Sequence, residues 1–303
     1  MTNGAWQGPL LIALGAMLWA TDALTRLPAV NRLDPTLIVF FEHAIGTLLL
    51  LPWILIRELG ALLKLKPSGW VAVFFAGAGG SAVATVLFTA SFRYVNPSVA
   101  ILLQKLQPVL VLMMAVIFLK ERPANRFYGW AGVALAAGIV LSFPDLKFGF
   151  LAERLNPHSQ GVLYAFSAAA IWAICTVVGK VMLDQTSTTI ATFWRYGFGL
   201  GMLGVLLASQ SSPVAFTDAL QTDTLKLLAY MAAIPGVLAM LLYYAGLRRT
   251  PASVATFVEL VFPVTAVLLN TYFLNTPLTT TELVAGAVLL VAVSQVSRAS
   301  QSA

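Results

Sequence analysis

The sequence predicts an all-α integral membrane protein in which ten transmembrane helices form two five-helix repeats of inverted topology. Three observations carry that reading. First, the 303 residues are 59% hydrophobic and only 10% charged, where an ordinary soluble domain carries about 25% charged residues. So little charge cannot cover a water-facing surface, and a lipid-facing surface needs none. Second, the apolar residues fall into ten blocks of 17–24 residues. That is the length a helix needs to cross about 30 Å of hydrocarbon while satisfying its own backbone hydrogen bonds. Third, the last five blocks echo the first five.

The blocks follow in order. Span 1 covers 8–28; it lacks a basic leader and is followed by further spans, so it reads as a span and not as a cleavable signal peptide. Span 2 (35–56) opens at Asp34-Pro35, a capping side chain before a proline at the first helical position. Span 3 (70–92) carries the small-residue run Gly77-Ala78-Gly79-Gly80-Ser81. Span 4 (97–119) opens at Asn96-Pro97, and span 5 (127–143) runs into a polar, turn-rich linker at 144–159. Span 6 (160–183) holds the single cysteine, Cys175, which excludes an intramolecular disulfide and reads as a small packing residue. Span 7 (188–208) contains Gly197, Gly199, Gly201 and Gly204, and Gly197 to Gly201 has the GxxxG spacing of close helix approach. Span 8 (224–247) carries Tyr243 and Tyr244 in its second half. Span 9 (251–274) opens at Thr250-Pro251, and span 10 (281–297) opens at a capping box, Thr279 to Glu282. The expected organisation is a first repeat over 1–143, a linker over 144–159 and a second repeat over 160–303.

The echo has a register. Ser98-Val99-Ala100 matches Ser253-Val254-Ala255 at an offset of 155, which also pairs Pro108-Val109 with Pro263-Val264 and Phe118-Leu119 with Phe273-Leu274. Trp19-Ala20 matches Trp172-Ala173 at 153. Five spans per unit is odd, so the second unit enters the membrane from the opposite side. Such inverted repeats characterise secondary transporters, with substrate near the midplane between the units.

The net charge of +6 is a topology signal. With a cytoplasmic N-terminus, the cytoplasmic segments carry ten basic residues: Arg57, Lys64, Lys66, Lys120, Arg122, Arg126, Lys180, Arg248, Arg249 and Arg298. The other side carries six: Arg26, Arg32, Arg93, Lys147, Arg154 and Lys226. Ten against six places both termini inside. Basic residues do not cluster with aromatics, so no nucleic-acid partner is expected.

Ionisable side chains at membrane depth are costly and mark function by default. Here they are Asp22, Glu42, His43, Lys105, Arg195 and Glu259, with Gln104 and Gln107 as neutral companions. At offset 155 Gln104 maps onto Glu259, and at offset 152 Glu42-His43 maps onto Trp194-Arg195. Two ion pairs are therefore expected, Glu42 with Lys105 and Arg195 with Glu259, coupling to transport or only locking helices together. Gln104, Gln107 and Pro108 share one helix face, and Pro108 and Pro263 each remove a backbone donor and can kink their spans. Trp19 and Trp172 sit mid-span and not in the interfacial belt. With Tyr243, Tyr244, Phe40, Phe41, Trp194 and Phe257 they either pack or line an apolar site for a flat ring.

These residues carry a resemblance. Asn96-Pro97-Ser98-Val99-Ala100 ahead of Pro108, with Phe118-Leu119-Lys120-Glu121-Arg122 at the end of the span, resembles the drug/metabolite transporter superfamily in its EamA-like branch. Phe41-Glu42-His43 and Leu103-Gln104-Lys105-Leu106-Gln107-Pro108 look like its aromatic amino acid exporters. The resemblance implies an inner-membrane exporter of aromatic and other hydrophobic amino acids. It also implies a basket of helices around a central cavity, with spans 5 and 10 peripheral. Phe273-Leu274-Asn275-Thr276 departs from the pattern, having no counterpart to Lys120-Glu121-Arg122.

The expected function is thus transport by alternating access, with no catalytic residue, metal or cofactor. The partners are a small-molecule substrate, an amino acid, and the lipid bilayer, and the chain is expected to act as a monomer. The alternatives are a carrier of another small metabolite or drug, or an intramembrane enzyme, against which stand the lack of HExxH and GxSxG settings. The substrate carboxylate would take Gln104, Gln107 or His43, its ammonium Glu259, and its ring Trp19, Trp172, Tyr243 and Phe257. Asp22, Glu42, Lys105, Pro108, Arg195 and Pro263 are expected to be structural or coupling residues. His43 either titrates near neutral pH and links transport to protons, or is a neutral helix–helix contact.

Overall fold

A computed structural model of the chain describes residues 6–111, 113, 125–146, 156–210, 216–250, 254–255 and 258–299. Among these the regular structure is entirely helical. Six helices are long and apolar enough to cross a membrane: α1 (Gln7–Val30), α2 (Pro35–Ala61), α3 (Pro67–Ser91), α7 (Thr188–Ala208), α8 (Thr222–Leu247) and α10 (Thr280–Arg298). Between them lie three shorter apolar helices, α4 (Pro97–Val111), α5 (Arg126–Ser142) and α9 (Val261–Phe273). The remaining long helix, α6 (Pro157–Leu183), has 27 residues, about 40 Å at 1.5 Å per residue.

The predicted starts have identifiable chemistry. Asp34 accepts from the Thr36 amide at 2.8 Å to cap α2, and Asn96 accepts from the Ser98 amide at 2.9 Å to cap α4. At α10 the capping box is reciprocal: the Thr279 amide donates to Glu282 at 2.7 Å, and the Glu282 amide donates to the Thr279 hydroxyl at 3.3 Å. The helix start expected at Thr250-Pro251 lies outside the described residues. The Thr250 hydroxyl donates back to the Gly246 carbonyl at 2.8 Å, finishing α8.

Packing crosses between the two halves of the chain. α1 lies along α8 and α9, while α6 lies along α3 and α4. These are the same contacts with the halves exchanged. α7 packs on α2 and α3, and α5 and α10 pack on each other against α4. The close approach of α7 does not use Gly197 and Gly201: a methyl group built on Gly201 would have no neighbour within 4 Å, and one on Gly197 would meet only Trp194, at 3.8 Å. The approach is made instead by Gly77 and Gly199. A methyl on Gly77 would stand 2.8 Å from the Arg195 carbonyl, and one on Gly199 2.7 Å from the His43 ring.

Four helices lose their regularity at related places. α3 widens into a π-helical segment at Phe75–Val83, and α8 does so at Ala232–Leu238. The offset of 155 carries residues 77–83 onto 232–238. Such segments are rare and recur at functional sites. α4 is interrupted at Lys105-Leu106, whose amides reach back only three residues, to Leu102 and Leu103 at 2.9 and 3.0 Å. The cause is Pro108, which has no N–H to offer the Gln104 carbonyl four residues earlier. α9 begins only after a turn at Glu259-Leu260. Here Pro263 withholds the same bond from the Glu259 carbonyl, which takes the Phe262 amide at 3.0 Å instead.

Candidate functional site

The buried charges fall into three groups, and the pairing differs from the one expected. Glu42 does not pair with Lys105. It accepts from Arg26 Nη2 at 2.9 Å, and Arg26 also grips Asp22 with Nε at 2.5 Å and Nη2 at 2.9 Å. Arg26 Nη1 donates to the Thr89 hydroxyl at 2.7 Å. Arg26 is 3% exposed, so it belongs to the interior of α1 and not to an extramembrane segment. Its partners explain its depth: two carboxylates and a hydroxyl satisfy a guanidinium that lipid would not tolerate alone. The network ties α1, α2 and α3 together. Asp22, expected as a structural or coupling residue, is one of its members.

Arg195 likewise does not pair with Glu259. Its Nε donates to Ser81 at 3.0 Å and its Nη1 to the Tyr244 hydroxyl at 3.1 Å, which ties α7 to the widened turns of α3 and to α8. His43 sits behind this link, 2% exposed, with Nδ1 2.8 Å from the Val39 carbonyl and its ring 4.7 Å from that of Tyr196. Its Nε2 is buried without a hydrogen-bond partner among the described residues. Trp172 stands on the other side of the same turns, its Nε1 donating to the Gly80 carbonyl at 2.7 Å.

The third group gathers at the two helix breaks. Tyr243 donates to Glu259 at 2.5 Å. The Tyr243 ring lies 4.8 Å from Trp19, and Trp19 lies 6.5 Å from Phe262 in an edge-on contact. Lys105 Nζ stands 4.9 Å over the Phe262 ring and feels the Glu259 carboxylate electrostatically. Gln104 and Gln107 are half-buried on the same interrupted stretch, and neither amide has a hydrogen-bond partner among the described residues. The result is a box of three aromatic rings with an ammonium, a carboxylate and two free amides at its edge. Its chemistry suits a flat ring carrying polar groups.

Of the expected substrate residues, the structure brings Trp19, Tyr243 and Glu259 together, with Gln104 and Gln107 on the neighbouring break. It sets His43 and Trp172 apart from that box. Phe257 lies outside the described residues, as do Lys120, Glu121 and Arg122. Pro108 and Pro263 mark the two breaks. The sequence reading missed Arg26, Ser81 and Phe262 as site residues. Arg26 had a signal in its spacing, four residues after Asp22 on one helical face. A further apolar groove of about 400 Å³ lies between α3 and α7, lined by Phe74, Trp194, Phe198 and Met202 among others. It holds none of the polar groups that would orient a solute.

The chain is similar to known proteins over most of its length. The sequence model of the EamA-like transporter family matches the chain twice, at residues 6–143 and 159–298. The riboflavin transporter ImpX of Fusobacterium nucleatum subsp. nucleatum is 29% identical over 293 residues, covering 94% of this chain and 95% of that protein. The uncharacterized inner membrane transporter YhbE of Escherichia coli K12 is 23% identical over 197 residues, 65% of this chain and 61% of its own length. A crystal structure sharing 20% identity superimposes with a TM-score of 0.62, covering 97% of this chain and 98% of that one, a likeness of fold.

Proposed function

The chain belongs to the EamA-like transporter family and is a multi-pass membrane transporter, and from that premise we propose that it carries a small solute with a flat aromatic ring, an aromatic amino acid before others. The observation that carries this reading is the Trp19–Tyr243–Phe262 box set against two broken helices. Interrupted helices at matched positions of two repeats are where secondary transporters bind substrate. The ring would stack in the box, and the backbone polar groups are carried by Gln104, Gln107, Lys105 and Glu259.

The same reading takes the chain as a ten-helix, five-plus-five inverted repeat around a central cavity, exporting across the inner membrane by rocking of the two repeats, as a monomer. The twofold match of the family supports the repeat. So does the exchange of contacts by which α1 meets α8 as α6 meets α3. Moving Arg26 into the span leaves ten basic residues against five, which supports cytoplasmic termini.

A second reading is riboflavin, favoured by the relative of that name and by the free amides of Gln104 and Gln107, which match the imide edge of a flavin. Counterflow of labelled tryptophan and labelled riboflavin into liposomes holding the purified protein decides between them. Uptake of tryptophan blocked by other aromatic amino acids supports the first reading. Uptake of riboflavin alone replaces it with the second.

A further inference from the structure

Six acidic and basic side chains, Asp, Glu, Lys or Arg, lie within the described interior of the spans. Asp22, Glu42 and Glu259 stand against Arg26, Arg195 and Lys105, three against three. Four are already engaged in the protein: Asp22, Glu42 and Arg26 with one another, and Arg195 with Ser81 and Tyr244. Lys105 and Glu259 differ. Lys105 has no hydrogen-bond or ion-pair partner among the described residues and stands 4.9 Å over the Phe262 ring. Glu259 uses one oxygen, Oε1, for Tyr243 at 2.5 Å. Both are half-buried, both sit at helix breaks, and both border the same aromatic box.

We propose that Lys105 and Glu259 form a charge-matching filter that admits aromatic solutes of zero net charge, the solute's carboxylate going to Lys105 and its ammonium to Glu259. The inference rests on the aromatic-solute reading above and names the residues that set its substrate class. Its physics is that of a low-dielectric site. An ion held there without a counter-charge is penalised by several kcal/mol, while a well-placed opposite charge offsets most of that. Lys105 and Glu259 leave the box neutral as a whole. A zwitterion gives each a partner and keeps the sum at zero. An aromatic amine satisfies Glu259 but leaves Lys105 and one surplus positive charge. An aromatic carboxylate leaves the opposite surplus.

Counterflow in proteoliposomes with labelled tryptophan, tryptamine and indole-3-propionate tests this in the wild type, Lys105→Met and Glu259→Gln. The wild type is expected to prefer tryptophan to either charged analogue by at least tenfold. Lys105→Met should lose tryptophan and gain tryptamine; Glu259→Gln should lose tryptophan and gain indole-3-propionate. Lys105→Arg, which keeps the charge, should retain tryptophan, and separates loss of charge from loss of folding. The filter is overturned if the wild type carries tryptamine or indole-3-propionate as well as tryptophan. It is also overturned if both neutralised variants, folded by thermal melt, lose all three solutes alike. If the wild type carries riboflavin and not tryptophan, the amino acid reading fails on its own. The filter then survives only if riboflavin phosphate, an anion with the same ring, is excluded.

Discussion

Trp172 donates its indole N–H to the Gly80 carbonyl at 2.7 Å, tying α6 to the π-helical turns of α3. Its repeat mate Trp19 makes no such bond among the described residues; its ring lies 4.8 Å from that of Tyr243, tilted by 48°. The two tryptophans, equivalent in sequence, therefore do different work. Trp172→Phe keeps an aromatic ring, though a smaller one, and removes the indole donor from the Gly80 carbonyl. It should lower stability by about 1 kcal/mol. Trp19→Phe should leave the melting temperature nearer the wild type and weaken tryptophan binding several-fold. Thermal melts in detergent and counterflow half-saturation, measured on both variants, separate the two roles. Equal effects on both readouts would mean that the pair is merely packing.

The Arg26 network makes a sharper prediction. Arg26→Met strands two carboxylates, Asp22 and Glu42, in the protein interior. Breaking a buried pair by removing one partner costs about 3–5 kcal/mol, enough to lower the folded yield drastically. Adding Asp22→Asn and Glu42→Gln to the same chain removes the stranded charges and should restore most of that yield. Size-exclusion profiles of the single and triple variants are the measurement. A triple variant no better folded than the single would show that Arg26 holds the helices by packing and not by charge.

What the sequence made legible divides along physical lines. The bilayer fixes span length and composition, so the apolar blocks are readable, and caps such as Asp34, Asn96 and Thr279 depend only on neighbours two or three residues away. The breaks in α4 and α9 were readable too, because Pro108 and Pro263 remove a bond whatever surrounds them. Ion pairing was not. Glu42 has Arg26 sixteen residues away and Lys105 farther along the chain as candidate partners, and only the packing of α1 against α2 chooses between them. The π-helical turns of α8 carry a local signal, Pro235 inside the segment, which removes a backbone donor. Those of α3 are invisible locally: their small residues are compatible with regular helix, and it is the approach of α7 and α6 that uses the widened geometry. The GxxxG spacing misled for the same reason. It marks small residues, but which face meets a helix depends on the partner.

That distinction is testable at the glycines. Gly77→Ala puts a methyl 2.6 Å from Phe198 Cβ and 2.8 Å from the Arg195 carbonyl. The second contact is backbone and cannot swing away, so α3 and α7 must separate. Overpacking of this kind costs about 1–3 kcal/mol, and the shift carries Arg195 off Ser81. Gly201→Ala adds a methyl with nothing within 4 Å and should be neutral or slightly stabilising through helix propensity. Melting temperatures of the two variants should differ clearly, and only Gly77→Ala should impair counterflow. A comparable loss in Gly201→Ala would mean that this face of α7 meets another partner.

His43 is the last residue on which sequence and geometry part. Its ring suggests a proton carrier, but a relay needs a path to water. Here Nδ1 lies against the Val39 carbonyl at 2.8 Å, Nε2 is buried without a partner among the described residues, and a methyl on Gly199 would touch the ring. Nothing in the aromatic box reaches it. His43 reads as the contact that sets the spacing of α2 and α7 beside Tyr196. His43→Gln should therefore cost about 1–2 kcal/mol of stability through a disturbed buried hydrogen bond, and leave the shape of the pH–transport profile between about pH 5 and 8 unchanged. Counterflow rates across that range, normalised to folded protein, decide the matter. A profile that flattens in His43→Gln would return the proton to His43 and require a water path that opens during transport.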